Sequence, residues 1–210
     1  MALTETKGGD FKDKWFSFVQ DGNMEALSAI YYAHFDLLFD YGRKFTSDDF
    51  LIEDAIQNVF TNLIRFRERL EYVRTIRSYL MVSFRNELFQ QIRRNRKLMW
   101  TNRALEVQFA PEYTIEEEIE QEESQLGMNK VLLKSIQKLT SKQQEMLFLR
   151  YDAGLSYEEI SKALNISVES CRTSVYRAIK GIKTDLRQIN HKDFLLLHLF
   201  MQKVKTCFQE

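Results

Sequence analysis

Residues 156–183 carry polar side chains whose types and spacing suit them to contact a nucleic acid. Arginine can make a bidentate contact to guanine, threonine can reach a base edge or a thymine methyl, and lysine can hold a phosphate. At about 100° per residue, such side chains here fall well away from the apolar stripe of the same helix, so they can meet a polyanionic partner. They are Arg172, Thr173, Tyr176 and Lys180. The solvated face of an ordinary bundle helix is the alternative, because charged outer faces are common.

Two short helices joined by a sharp turn must position these side chains. Ser156 and Glu159 have the spacing of a capping box at the start of the first helix. Asn165 can adopt the left-handed backbone that ends this helix, and Ser167 can cap the second helix. The second helix has an apolar face that recurs at steps of three and four, made by Val168, Cys171, Val175, Ala178, Ile179 and Ile182. The spacing therefore predicts a helix-turn-helix.

A second candidate for nucleic-acid binding is the segment 65–75, where aromatic and arginine residues are interleaved without a clean period. Phe66 and Tyr72 could stack on unpaired bases, which is the usual way that proteins hold a single strand. The cations that could follow the strand's backbone are Arg67, Arg69 and Arg74. The alternative is a turn whose aromatic rings anchor it to the protein core.

The composition predicts an all-α protein, because one proline and seven glycines in 210 residues leave little turn chemistry for a β fold. In the first half, Asn23 is expected to cap the first helix, with His34 on its apolar side as a core residue rather than a metal ligand. A second helix carries Asp54, and a third is expected to begin near Thr75. No apolar run approaches the roughly 18 residues of a membrane span, so no membrane insertion is expected.

Charge is segregated along the chain although the formal net charge is zero. Residues 104–129 contain eight glutamates and no Lys or Arg, so the rest of the chain is net basic. Such a run repels itself and favours an extended linker. The predicted order is a helical domain at 11–97, an acidic linker at 98–129, a helix-turn-helix domain at 130–187 and a helical extension of unknown role at 188–210. Cys171 lies on a buried stripe far from Cys207, and together with the absence of a secretory signal this favours a buried thiol and a cytoplasmic protein.

Both domains resemble bacterial sigma factors of the sigma-70 family, and within it the two-domain, extracytoplasmic-function type. Residues 139–182 look like region 4, which binds the −35 promoter element in the major groove. DAIQNVF at 54–60 resembles the region 2.2 helix that docks on RNA polymerase, and IRSYLMVSFRNEL at 76–88 resembles regions 2.3 and 2.4, which melt and read the −10 element. The resemblance implies a sigma factor that binds core RNA polymerase and directs promoter recognition, DNA melting and transcription initiation.

The resemblance also implies roles for individual residues. The polymerase-facing patch would comprise Asp54, Gln57, Asn58 and Phe60, with Asn58 standing where the family commonly has glutamate. The −10 contacts would come from Phe66, Tyr72, Arg74, Arg77, Tyr79, Arg85, Asn86, Gln90, Arg93 and Arg94. The −35 contacts would come from Ser167, Ser170, Arg172, Thr173, Tyr176, Arg177 and Lys180. The implied partners are promoter DNA, the β and β′ subunits of core RNA polymerase and, as is usual in the family, an anti-sigma factor.

Two functions from other classes remain as alternatives. A stand-alone transcriptional regulator could use the same helix-turn-helix with a sensing or dimerisation domain in front of it. An enzyme is disfavoured, because the three histidines are scattered and no phosphate-binding glycine loop or metal-spaced cysteine cluster occurs. We therefore expect no catalytic residue, no metal site and no cofactor.

Overall fold

Helices form every regular element in the part of the chain that the structure, a computed structural model, describes: residues 7–98, 109 and 132–187, with side chains over 11–95, 109 and 132–186. The all-α prediction is confirmed for these residues. The elements are α1 (Lys7–Asp21), α2 (Met24–Arg43), α3 (Asp49–Arg65), a 3-10 turn (Arg67–Arg69), α4 (Ile76–Leu98), α5 (132–137), α6 (Ser141–Leu147), a π-type turn (Phe148–Asp152), α7 (Tyr157–Leu164) and α8 (Val168–Arg187). They belong to two compact units, Met1–Leu105 and Glu106–Glu210. None of the described helices is long and apolar enough to cross a membrane.

The first unit is a bundle in which α3 packs against α4 and α2, and α1 packs against α2. Its apolar positions recur at helical spacing, so each helix buries one stripe against its neighbours. Fully buried large side chains in this core include Phe18, Ile30, Leu38, Tyr41, Ile52, Ile56, Leu63, Leu80, Phe84 and Leu88. Burying each such side chain contributes about 1.5–3 kcal/mol to the stability of the fold. This core therefore holds α3 and α4 in fixed positions relative to each other.

The predicted cap at Asn23 is confirmed, although the helix that it starts is the second along the chain rather than the first. Its side-chain oxygen accepts hydrogen bonds from the backbone N–H groups of Glu25 (3.0 Å) and Ala26 (3.1 Å) at the start of α2. Helix α1 precedes it, and Gly22 reverses the chain between the two helices with φ of 71°. Trp15 and Phe18, both buried, hold α1 in the bundle. Their spacing, followed by the Gly22–Asn23 break, was the signal for this helix.

His34 is a core residue, as predicted. Its ring meets Phe11 edge-on at 5.8 Å, and its Nδ1 donates to the carbonyl oxygen of Ile30 at 2.8 Å. Burial lowers the pKa of His34 below its ordinary value of 6.5; the bond to Ile30 opposes this shift, and the charge of Arg77 adds to it. The unfolded chain therefore takes up a proton at a higher pH than the folded one does.

We expect the free energy of unfolding to fall as the pH drops below 6.5, down to the lower pKa of folded His34. Above that range both states carry neutral histidine, and this contribution stays constant. Urea unfolding of the wild type and of His34→Phe at several pH values between 7.5 and 5 measures the effect. As the pH falls, the free energy of unfolding of the wild type should decrease relative to that of His34→Phe. A difference between the two free energies that does not vary with pH would contradict the assignment of this effect to His34.

The second unit is built from α5 to α8. Leu132 and Ile136 pack with Ile182 and Leu186 in one buried cluster, and Leu139 and Leu147 lie against it. Cys171, Val175 and Ala178 of α8 are buried as predicted. Burial raises the pKa of the Cys171 thiol, so this side chain is a neutral packing group.

The local signals in this unit are confirmed. Ser156 and Glu159 form a reciprocal capping box at the start of α7, and Asn165 ends that helix in the left-handed conformation with φ of 52° and ψ of 53°. Ser167 accepts a hydrogen bond from the backbone N–H of Ser170 at 3.1 Å and so caps α8. Thr140 forms a second capping box with Gln143 at the start of α6. Asn165 and Ser167 thus define where α7 ends and where α8 begins.

The predicted linker at 98–129 departs from expectation at one described residue. Phe109 is buried, its ring lies 6.0 Å from that of Phe148, and its N–H donates to the hydroxyl of Ser141 at 2.6 Å. The prediction of a linker that is extended throughout its length is therefore wrong at Phe109, because this residue packs into the second unit. The acidic run and the extension at 188–210 lie outside the described residues.

Candidate nucleic-acid interface

The outer face of α8 gathers the polar side chains that the sequence singled out. Exposed side chains on this face are Ser167, Ser170, Arg172, Tyr176, Arg177 and Lys180, and Thr173 is half-buried beside them. Tyr176 is 65% exposed, so its ring is open to a partner. The hydroxyl of Ser167 donates to that of Ser170 at 2.8 Å, so the first turn presents two polar groups at the helix start. The face combines charge and hydroxyl groups, which can contact phosphates and base edges, with an exposed aromatic ring.

Arg172 is already held by the preceding helix. Its Nη2 lies 3.1 Å from Oε1 of Glu158, and its guanidinium lies 5.7 Å from the centre of the Tyr157 ring. The pKa of Glu158 is lowered by a hydrogen bond from its own backbone N–H, and the bond from Ser156 and the charge of Arg172 act in the same direction. Sequence reasoning missed this ion pair. The available signal was Glu158, an acidic residue in the first turn of the helix that precedes α8.

The turn after α3 displays its aromatic rings to solvent. Phe66 is 40% exposed and Tyr72 is 88% exposed, while Leu70 is buried and anchors the turn. The alternative that Phe66 and Tyr72 are the anchors is therefore wrong. The guanidinium carbons of Arg65 and Arg69 lie 5.3 and 5.4 Å from the centre of the Phe66 ring. An arginine-flanked ring of this kind can stack on a base while the cations meet its phosphates.

Helix α4 follows this turn and continues the polar surface. The exposed candidates are Arg74, just before the helix, and Arg77, Asn86, Gln90, Arg93 and Arg94 within it. Arg85 is half-buried, with its guanidinium 4.3 Å from the centre of the Phe89 ring. Tyr79 is also half-buried, and its ring lies 6.2 Å from that of Trp15 on α1. Only part of Tyr79 is thus open to a partner. Arg67, a candidate cation of the turn, packs against Gly22.

On α3, the candidate polymerase-facing residues separate into two groups. Asp54 and Gln57 are exposed and Asn58 is half-buried, so these three can meet a partner. Phe60 is 6% exposed, and its ring meets that of Tyr31 at 4.9 Å inside the bundle. The placement of Phe60 in the polymerase-facing patch is therefore wrong, because this side chain shares the inward face of α3.

Two models of known protein families match the parts of the chain that contain these surfaces. Residues 30–98 match the model of Sigma-70 region 2, and residues 130–181 match the model of Sigma-70, region 4. Together the two matches span more than half of the 210 residues. The chain belongs to the sigma-70 family. Its order of regions is that of the two-domain, extracytoplasmic-function type, and the match to region 2 replaces the alternative of a sensing or dimerisation domain.

Solved structures give this sigma factor the same fold. CnrH in complex with the cytosolic domain of CnrY has a TM-score of 0.54 and 16% sequence identity, over 86% of this chain and 99% of that chain. The sigma factor RpoE in complex with the anti-sigma factor NepR, from Bartonella quintana, has a TM-score of 0.52 and 17% identity, over 78% and 98% of the two chains. At such identities the likeness is one of fold alone. No curated protein sequence matches the chain significantly.

The two matched regions divide the candidate surfaces of the sigma factor between them. Region 2 includes the exposed face of α3, the aromatic turn and α4, whereas region 4 includes α7 and the part of α8 up to residue 181. Helix α1 lies before the residues that match region 2. The two surfaces chosen from side-chain chemistry, the aromatic turn and the outer face of α8, thus fall in the regions that sigma factors use for promoter recognition and transcription initiation.

Proposed function

We propose that the two predicted domains of this sigma factor, residues 11–97 and 130–187, share the recognition of one promoter. As a member of its family, the chain directs RNA polymerase to promoters and initiates transcription there. In our proposal, α8 reads the −35 duplex, the exposed face of α3 binds the β and β′ subunits of core RNA polymerase, and the aromatic turn with α4 holds the −10 strand. The observation that carries the last assignment is the exposure of Phe66 and Tyr72.

Promoter opening by such a protein needs binding energy and no covalent step. Taking a base out of the stack costs a few kcal/mol, and stacking on an aromatic side chain returns about 1–3 kcal/mol per base. Phe66 and Tyr72 can each supply one such platform, because both rings are displayed to solvent. The exposed arginines of α4 add a salt-dependent attraction for the displaced strand. Opening then amounts to capture of the unpaired strand, with polymerase holding the complex together.

We also propose an anti-sigma factor as a partner and the cytoplasm as the place of action. RpoE of similar fold was solved with the anti-sigma factor NepR, and CnrH was solved with the cytosolic domain of CnrY. A protein that covers the α3 or α8 face would keep the sigma factor from polymerase or from DNA. Both α3 and α8 present exposed polar side chains that such a partner could use.

Transcription by purified components tests the proposed function. The full-length protein is mixed with core RNA polymerase and a library of genomic fragments, and the 5′ ends of the transcripts are sequenced. We expect discrete start sites that share one −35 and one −10 sequence and that are absent with core enzyme alone. A lack of such starts would refute the proposal. Starts that appear only after a second sigma factor is added would instead indicate a stand-alone regulator.

A further inference from the structure

Two side-chain amides join α3 to α4 beside the proposed polymerase-facing residues. Nδ2 of Asn58 donates to Oδ2 of Asp54 at 3.1 Å and to Oε1 of Glu87 at 3.3 Å. Nε2 of Gln91 donates to the same two oxygens, at 2.7 Å from Asp54 and 3.1 Å from Glu87. Each amide nitrogen thus bridges one carboxylate of α3 and one of α4. The two carboxylates are held side by side by neutral donors.

Both amide donors are neutral, so they hold the two carboxylates without neutralising their negative charge. Neither Asp54 nor Glu87 forms an ion pair with any residue whose side chain the structure describes. Like charges at short range repel, so the pair needs either the amide donors or a cation from outside. Asp54 is exposed and Glu87 is half-buried at the protein surface, so such a cation can reach them.

Gln91 keeps this geometry at a cost to its own hydrogen bonding. The residue is 7% exposed, and its Oε1 is buried without a hydrogen-bond partner. Turning the amide over would place this oxygen against two carboxylates, so the charges fix its orientation. A buried acceptor without a partner is uncommon and calls for an explanation. The explanation here is that Gln91 supplies its donor to the carboxylate pair.

We propose that Glu87 is a further polymerase-binding residue, and that Asn58 and Gln91 are positioning residues which hold Glu87 beside Asp54 as one receptor for a cationic side chain of RNA polymerase. An arginine fits best, because its planar fork of N–H groups can meet both carboxylates together. This inference rests on the proposed docking of α3 on polymerase. It also accounts for Asn58, since a glutamate at that position would add a third negative charge where the amide donates two hydrogen bonds.

Binding of the labelled full-length protein to core RNA polymerase without DNA tests the receptor. We expect Asp54→Asn and Glu87→Gln each to weaken binding about tenfold, as for close charge pairs at other interfaces. The double variant should weaken binding by less than the product of the two single losses, because both carboxylates hold one cation. Asp13→Asn, which removes an exposed carboxylate from α1, is the matched control and should bind as the wild type does.

Positioning by Gln91 is tested with Gln91→Met, which keeps the length of the side chain and removes its donor. We expect weaker polymerase binding when Asp54 and Glu87 are intact, and no further loss when Gln91→Met is added to the double variant. Thermal unfolding of each free variant shows whether it is folded. If Gln91→Met weakened binding equally in both backgrounds, its role would be merely structural and the positioning role would be refuted.

The outcomes separate this inference from the proposed function. If Asp54→Asn weakens binding and Glu87→Gln does not, the paired receptor is refuted while docking through α3 stands. If neither variant weakens binding, α3 is not the polymerase-facing helix, and the proposed docking fails together with the receptor. A loss for both, with coupling between them, supports the receptor.

Discussion

Replacing Phe66 and Tyr72 together by alanine is expected to prevent promoter opening while leaving duplex binding by α8 intact. Each ring can return about 1–3 kcal/mol by stacking on an unpaired base, so losing both should lower the population of open complexes at least tenfold. Both side chains are exposed, and Leu70 remains to anchor the turn. The fold should therefore survive the double substitution, and the loss should be confined to the melting step.

Permanganate reactivity of unpaired thymines in the −10 element measures this loss directly. Polymerase containing the double variant should protect the −35 duplex as the wild type does but leave the −10 thymines unreactive. Phe16→Ala on α1 is the matched control, because that ring is 65% exposed and lies before the residues that match region 2. Wild-type reactivity in the double variant would show that these rings do not hold the strand.

Features set by neighbouring residues could be predicted from the sequence. The capping box of Ser156 and Glu159 and the left-handed turn at Asn165 each depend on residues a few positions apart. The buried face of α8 follows from helical periodicity, because Cys171, Val175 and Ala178 must point the same way once the helix forms. The helix-turn-helix was therefore predictable in some detail, including which face of α8 is buried and which is exposed.

Features set by packing between helices could not be predicted in the same way. Asp54 and Gln91 are 37 positions apart, and Arg172 and Glu158 are 14 apart, so their contacts depend on how two helices cross. Phe60 is a different case. Its spacing from Ile56 and Leu63 already placed it on the buried face of α3, and the resemblance to a docking helix was wrongly given more weight than this periodicity.

Replacing Arg172 by alanine should relax base preference at one position of the −35 element. A bidentate arginine–guanine contact contributes about 1–3 kcal/mol of discrimination, so affinity for the preferred duplex should fall while affinity for the three alternatives changes less. Arg172→Lys keeps the charge and loses the planar fork, and should therefore also relax the preference. The measurement is the affinity of the full chain, bound to core polymerase, for duplexes that vary at one −35 position at a time.

The ion pair with Glu158 changes how the Arg172→Ala result must be interpreted. Without its arginine, Glu158 becomes an unpaired negative charge next to α8, the helix proposed to contact DNA, and it would repel every duplex equally. Adding Glu158→Gln to Arg172→Ala removes this repulsion. It should therefore restore the affinity that was lost equally for all duplexes, without restoring the preference for one base. The alternative is that Arg172→Ala weakens binding to all duplexes equally, and that adding Glu158→Gln reveals no loss of base preference. In that case Arg172 contacts a phosphate, and another residue of α8 reads the sequence.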